Sequence, residues 1–168
     1  MIRKIIKLYF LIFLLLTPFS PLAGDSLKRE NEVKKNIYAS ILKWYSNLCS
    51  FNTEELVSLY SLKITFLPTS SKILIKDLKG VSNYFIGVNK KYKAFKTYKC
   101  SLLNPQIILI DNKTVVVKGK DEFEGVIDNE NKDLFNTKGR QSFIFTKEKN
   151  EWKIIHHHRS RPLSKVEL

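Results

Sequence analysis

Two runs near the C-terminus alternate apolar and polar residues around a polar turn: Arg140–Thr146 before it and Trp152–Ser160 after it. A period of two sends successive side chains to opposite faces of a strand, so this segment reads as a β-hairpin with one buried face. A two- or four-residue turn centred on Lys149-Asn150 sets Phe143 opposite His156, Ile144 opposite Ile155, and Arg140 opposite Arg159. The second strand ends in three consecutive histidines and an arginine. Any chemistry carried by the hairpin belongs there.

The elements before the hairpin follow a fixed order. Val33, Ile37, Ile41, Trp44 and Leu48 recur at helical spacing and form one apolar stripe. That helix ends near Cys49-Ser50. A short second helix follows, with Asn52 as N-cap and Glu55 at the capping-box position. Ile64–Leu67 reads as a strand stopped by Pro68, and Lys72–Ile75 as a further short strand. Asp77 opens a third helix through Leu78, Val81, Tyr84, Phe85 and Val88. Lysines and aromatics interleave over Lys90–Lys99, as on single-strand binding surfaces and equally on a strand with one buried face. Gln106–Ile110 and Thr114–Lys118 form a hairpin about Asp111-Asn112-Lys113. Phe123–Ile127 extends that region to a polar loop, Asp128–Asp133. Helices that lead and an antiparallel sheet that follows imply an α+β fold, with the helices packed on one face of a curved sheet and a pocket inside the resulting cone.

The first 24 residues stand apart. Arg3, Lys4 and Lys7 precede an apolar run from Leu8 to Leu16, then Pro18, Pro21 and the small residues Ala23 and Gly24. This is the layout of a secretory signal peptide, and the run is too short to span a bilayer alone. The expectation is therefore a signal peptide over 1–24 and a single domain over 25–168, secreted or periplasmic. Membrane contact is expected only through the signal segment, if it stays uncleaved. The last four residues, Lys165-Val166-Glu167-Leu168, differ at one position from an endoplasmic-reticulum retrieval signal. That signal has meaning only in a eukaryotic host, where the destination would be the lumen.

The formal charge is +13, of which the signal segment carries three positive charges and no negative one. A basic domain favours anionic partners, or else its lysines are simply solvated. An exported protein meets little nucleic acid, so a small anionic ligand is the better expectation. Cys49 and Cys100 both lie in the exported part, either as a disulfide or as two separate buried thiols.

Trp152-Lys-Ile-Ile-His-His-His-Arg-Ser160 resembles the closing strand of the nuclear transport factor 2-like superfamily. It is most similar to the association (hub) domain of calcium/calmodulin-dependent protein kinase II and its bacterial, SnoaL-like relatives. Trp152, Ile155, His156, His158 and Ser160 fit that strand, and Arg159 matches its arginine form. Leu67-Pro-Thr-Ser-Ser71 and Lys79–Phe85 resemble the segments expected upstream. The kinase hub's arginine in the penultimate strand would fall at Phe143, whereas Arg140 matches the position used by the bacterial relatives. The resemblance implies a cone-shaped fold and self-association into a homodimer or larger ring. It implies neither kinase activity nor calmodulin binding.

The candidate site follows from the hairpin. Arg140 and Arg159, set opposite each other, repel unless an anion lies between them. The alternatives are a carboxylate such as Glu122 or Glu124, or solvation at an edge. Tyr84 and Trp152 are expected to line or shape the pocket. His156 and His158 share a face, and either is a candidate general base with an acidic partner, or else a hydrogen-bonded core or interface residue. Neighbouring histidines on a strand point to opposite sides, so a metal site is not expected, and no cofactor is. Two functions follow: a ligand-binding and oligomerising domain, or a cofactor-independent isomerase, dehydratase or cyclase using a pocket histidine. A carboxylate within hydrogen-bond reach of His156 or His158 would distinguish the second.

Overall fold

In the computed structural model of the chain, residues 22–93, 95–127 and 134–161 are described. The expected signal segment lies outside them apart from residues 22–24, and so do the loop 128–133 and the terminal Lys165–Leu168. The chain divides into two compact units at Glu32/Val33. From residues 22–32 the first contributes only the opening turns of a helix, and everything below concerns the second. No helix of the described residues is long and apolar enough to cross a membrane.

Helix α1 runs Leu22–Cys49, α2 Thr53–Ser58 and α3 Leu78–Tyr92. The strands are β1 Tyr60–Leu67, β2 Phe95–Leu109, β3 Thr114–Ile127, β4 Leu134–Glu148 and β5 Glu151–Ser160. They form one curved sheet of five strands in the order β1-β5-β4-β3-β2. Every neighbouring pair is antiparallel except β1 with β5. The helix caps are those legible in the sequence: the Asn52 side chain accepts from the Glu55 N–H, and that of Asp77 from the Gly80 N–H. Each satisfies one N–H that a first helical turn leaves without a backbone partner.

Two expectations need adjusting. The segment Lys72–Ile75 supplies only an isolated bridge between Ile75 and Phe66 rather than a strand. Lys90–Lys99 is divided between elements, because α3 extends to Tyr92 and β2 starts at Phe95. Helical spacing carries the apolar residues of α3 on to Val88 and Tyr92, so the helix takes the first three residues of the interleaved stretch.

The core lies between the helices and the concave sheet face. Ile37, Ile41 and Trp44 of α1 are buried with Val81 and Phe85 of α3 against Val115, Val117, Phe143, Phe145 and Ile154. The Trp44 indole stands edge-on to the rings of Phe85, Phe143 and His157, at 6.1, 5.4 and 5.2 Å. Strand and helix layers are thus joined by one large ring.

The hairpin β4–β5 turns through Lys149 and Asn150, both with positive φ (54° and 118°). This is the conformation that suits a two-residue turn to the twist of its strands. Pairing near the turn is as expected, with Phe145 opposite Ile154. Beyond it Ile144 pairs with His156, leaving Ile155 as a bulge. One extra residue shifts every later pair. Phe143 consequently faces His157 rather than His156, Gln141 faces Arg159, and Arg140 faces Ser160.

Cys49 and Cys100 are bonded, with Cα atoms 5.9 Å apart and a sequence separation of 51. The bond ties the end of α1 to β2. Replacing both by serine is expected to lower unfolding free energy by about 4 kcal/mol on the chain-entropy estimate, since the loop closed is long. Denaturant unfolding of the reduced wild type should then match that of the variant.

Candidate functional site

Asp121 organises the concave face. It sits on β3 in phase with Val115, Val117 and Phe123, and no part of it is exposed. A carboxylate so placed must be paired and hydrogen-bonded to exist as an anion. Arg159 supplies the pair through two parallel bonds, Nε to Oδ2 at 2.7 Å and Nη2 to Oδ1 at 2.9 Å. The guanidinium also lies 4.7 Å from the centroid of the Phe123 ring and donates through Nη1 to Thr69 Oγ1 at 3.2 Å. The Gln141 amide donates from Nε2 to the same carboxylate.

From there the bonds run inward in one direction. Because Gln141 turns its NH2 to Asp121, its carbonyl Oε1 faces His157 Nε2 at 2.9 Å and must receive a proton from it. His157 therefore carries its proton on Nε2, which leaves Nδ1 to accept from the Tyr60 hydroxyl at 2.9 Å. The Tyr60 oxygen accepts from Trp44 Nε1–H, again at 2.9 Å. The carboxylate thus fixes the amide, the amide fixes the tautomer, and the imidazole fixes the phenol. Burial first, and the neighbouring His156, Arg159 and His158 next, hold the His157 imidazole well below the ordinary histidine range. It is neutral at physiological pH, as the chain of bonds requires. Tyr60 is held well above the usual phenol range, chiefly by burial.

Gly139 faces Asp121 across the β3–β4 ladder. A methyl group there would lie 2.5 Å from Asp121 Oδ1, 2.8 Å from Arg159 Nη2 and 2.9 Å from the Ser160 carbonyl oxygen. The ion pair occupies the space a side chain would take.

In front of this network opens a cleft of about 860 Å³. Trp44, Phe66, Phe85 and His157 line its depth. Its sides include Tyr84, Tyr98 and Phe123, and Arg159 lies beside Phe123. The Tyr84 hydroxyl meets Ser70 Oγ at 3.2 Å, joining α3 to the segment after β1. Its phenol is held above the ordinary range, first by burial. Lys72, Lys91 and Arg161 also belong to the lining, which among the described residues includes no carboxylate.

Two of the residues expected in the pocket are there, Tyr84 and Arg159. The others are elsewhere. Arg140 is exposed and, being one residue out of phase with Gln141, points from the convex face. Arg159 is not opposed by a second arginine, and its partner is Asp121 rather than Glu122 or Glu124. Glu122 instead pairs with Lys138 at 3.0 Å. Trp152 packs against the core near the turn and does not line the cleft. His156 and His158 lie on the convex face, where His156 Nδ1 meets Thr65 Oγ1 at 2.8 Å. No carboxylate among the described residues bonds to either. The bulge at Ile155 is the reason: it places Ile154, His157 and Arg159 together on the concave face. Nor do the described residues include a group of three or more His, Cys, Asp or Glu able to hold a metal ion.

Gly139→Ala is expected to cost about 1–3 kcal/mol, the usual range for overpacking, because backbone as well as side chains must move. Thermal unfolding measures it. A second expectation concerns pH. The His157 pKa is depressed on folding, so below about 6.5 the unfolded chain binds the proton that the folded one refuses. Stability conferred by the neutral imidazole is complete above that value. It falls by up to about 1.4 kcal/mol per pH unit on acidification until the folded pKa is reached. His157→Gln should flatten the slope of unfolding free energy between pH 7 and 5; an unchanged slope would refute the assignment.

The chain matches the calcium/calmodulin dependent protein kinase II association domain family over residues 33–162. None of the curated proteins matches it. Among solved structures it is similar to a provisionally assigned association domain of that kinase from Xanthomonas campestris, at 24% identity and TM-score 0.64, covering 75% of this chain and 85% of that one. It is also similar to a nuclear transport factor 2-like superfamily protein from Salmonella enterica, at 20% identity and TM-score 0.66, covering 81% and 95%. A provisionally assigned scytalone dehydratase from Novosphingobium aromaticivorans superposes with TM-score 0.71 at 12% identity, covering 82% and 89%. These likenesses share the fold of helices on a curved, mainly antiparallel sheet, and with the match over residues 33–162 the chain belongs to the calcium/calmodulin dependent protein kinase II association domain family.

Proposed function

We propose that the protein is an exported domain that self-associates through its sheet and binds a small anionic molecule in its cleft. The observation that carries the binding reading is a lining that, among the described residues, has cations and no carboxylate, in front of a polar network whose members already satisfy one another. Both ring nitrogens of His157 are engaged, and the residue is 1% exposed. A histidine so held orients its neighbours and is poorly placed to take a proton from a substrate. His156 and His158 lie away from the cleft, so the reading of a histidine-based isomerase or dehydratase draws no support from either. Export rests on the N-terminal layout of basic residues, apolar run and small residues.

Self-association is supported by one row across the convex face. Ile108, Val116, Ile144, His156 and Thr65 are successive partners on β2, β3, β4, β5 and β1. Three adjacent aliphatic residues run from the β2 edge to the central strand β4, and the Thr65–His156 hydrogen bond closes the other end. Lys118 and His158 lie one row away. A second copy of the same face would cover the apolar row and leave those polar groups at the rim, the anatomy of a specific interface.

Native mass spectrometry of residues 25–168 should give a dimer or a larger discrete assembly. Val116→Lys combined with Ile144→Lys should reduce it to monomer while the far-ultraviolet circular dichroism stays unchanged. A wild-type monomer at micromolar concentration would sink the assembly reading.

A further inference from the structure

Resting on the reading of the cleft as a ligand site, we propose that it takes a planar aromatic acid oriented with its ring inward and its anionic group outward, at Lys72 and Lys91 rather than at Arg159.

Charge distribution carries the argument. Arg159 is the one cation deep in the cleft, and its charge is already matched by Asp121 through two bonds, with a third donor on Thr69. A ligand carboxylate there would face a neutral ion pair and would have to compete with an oxygen pair held at 2.7 and 2.9 Å. Separating that pair would leave Asp121 buried and uncompensated. Lys72 and Lys91 differ: both are exposed, both line the cleft, and neither forms an ion pair among the described residues. They keep the long-range attraction for an anion that Arg159 has spent on Asp121.

The depth of the cleft suits rings. Trp44, Phe66 and Phe85 are buried at its base. Along one side the rings of Tyr92, Tyr98 and Phe123 follow one another within 11° of parallel, at 5.5 and 6.2 Å. Such surfaces favour offset stacking and edge contacts with a planar guest. Lys91 lies 5.2 Å from the Tyr92 centroid, so the cation stands at the outer end of that same wall. Ring inward and anion outward is the arrangement that leaves the Asp121–Arg159 pair intact and sets the ligand's charge beside a cation.

Calorimetric titration of the full-length protein with 2-naphthoate and with 2-naphthalenemethanol, its uncharged counterpart, tests the orientation. Wild type should bind the acid more tightly than the alcohol, and the preference should shrink as salt is raised. In Lys72→Gln/Lys91→Gln, affinity for the acid should fall by about tenfold, the scale expected from two exposed charge contacts, and affinity for the alcohol should stay the same. Unchanged affinity for the acid would overturn the outward placement while leaving the cleft a binding site. Equal loss of both compounds would also overturn it, since it would show the lysine stems shaping the wall. Binding of neither compound to wild type would remove the ligand-site reading itself, and this inference with it.

Discussion

A buried carboxylate is the constraint from which the concave face is built. Asp121 cannot remain charged without donors, and its three bonds come from one guanidinium and one amide. Strands β3, β4 and β5 each supply one of these three residues, so the ion pair locks the register of the middle of the sheet. Removing any one partner leaves the others buried and unsatisfied, which costs far more than an average hydrogen bond contributes. The network therefore behaves as a unit, extending through His157 and Tyr60 to Trp44 on α1. Polar bonds and the packing of the indole act on the same two layers.

This organisation separates two roles that the composition of the C-terminal strand merges. Three histidines and an arginine in a row suggest concentrated chemistry. In the fold they are divided between two environments. His157 and Arg159 are committed to the core, held in one tautomer and one ion pair. His156 and His158 belong to the convex face, where burial and the adjacent His158 lower the affinity of His156 for a proton. A partly buried neutral imidazole bonded to Thr65 can sit under a second copy of the sheet without bringing a charge with it.

Much of the architecture was legible in the sequence because its signals are local. Helical spacing from Val33 to Leu48, the caps at Asn52 and Asp77, and the alternation of the final hairpin each name an element without reference to anything distant. The kinase-association resemblance in the last strand rests on the same local pattern. What escaped was the consequence of a single inserted residue. Nothing in Trp152–Ser160 distinguishes Ile155 from its neighbours as a bulge, since a bulge is decided jointly with the partner strands β1 and β4. With Ile155 treated as an ordinary strand residue, the hairpin's outer half is displaced by one position, and the opposed arginines of that register do not exist.

A signal for the true site was nevertheless present. Val115, Val117, Gly119, Asp121 and Phe123 occupy one phase of β3, and Gln141, Phe143 and Phe145 one phase of β4. An acid and an amide at core positions of neighbouring strands demand each other and a cation, by the same rule that keeps buried charges paired. Arg140, one residue out of phase with Gln141, is excluded from that place by the period of two. The bulge supplies the cation by turning Arg159 onto the concave face opposite Gln141, and Gly139 leaves room for its guanidinium. Arg159, which lines the cleft, is thereby consumed by structure, so in the proposed binding mode charge recognition passes to the rim. On that proposal, specificity for an anion depends on exposed lysines outside the core, and binding can change without disturbing the fold that supports it.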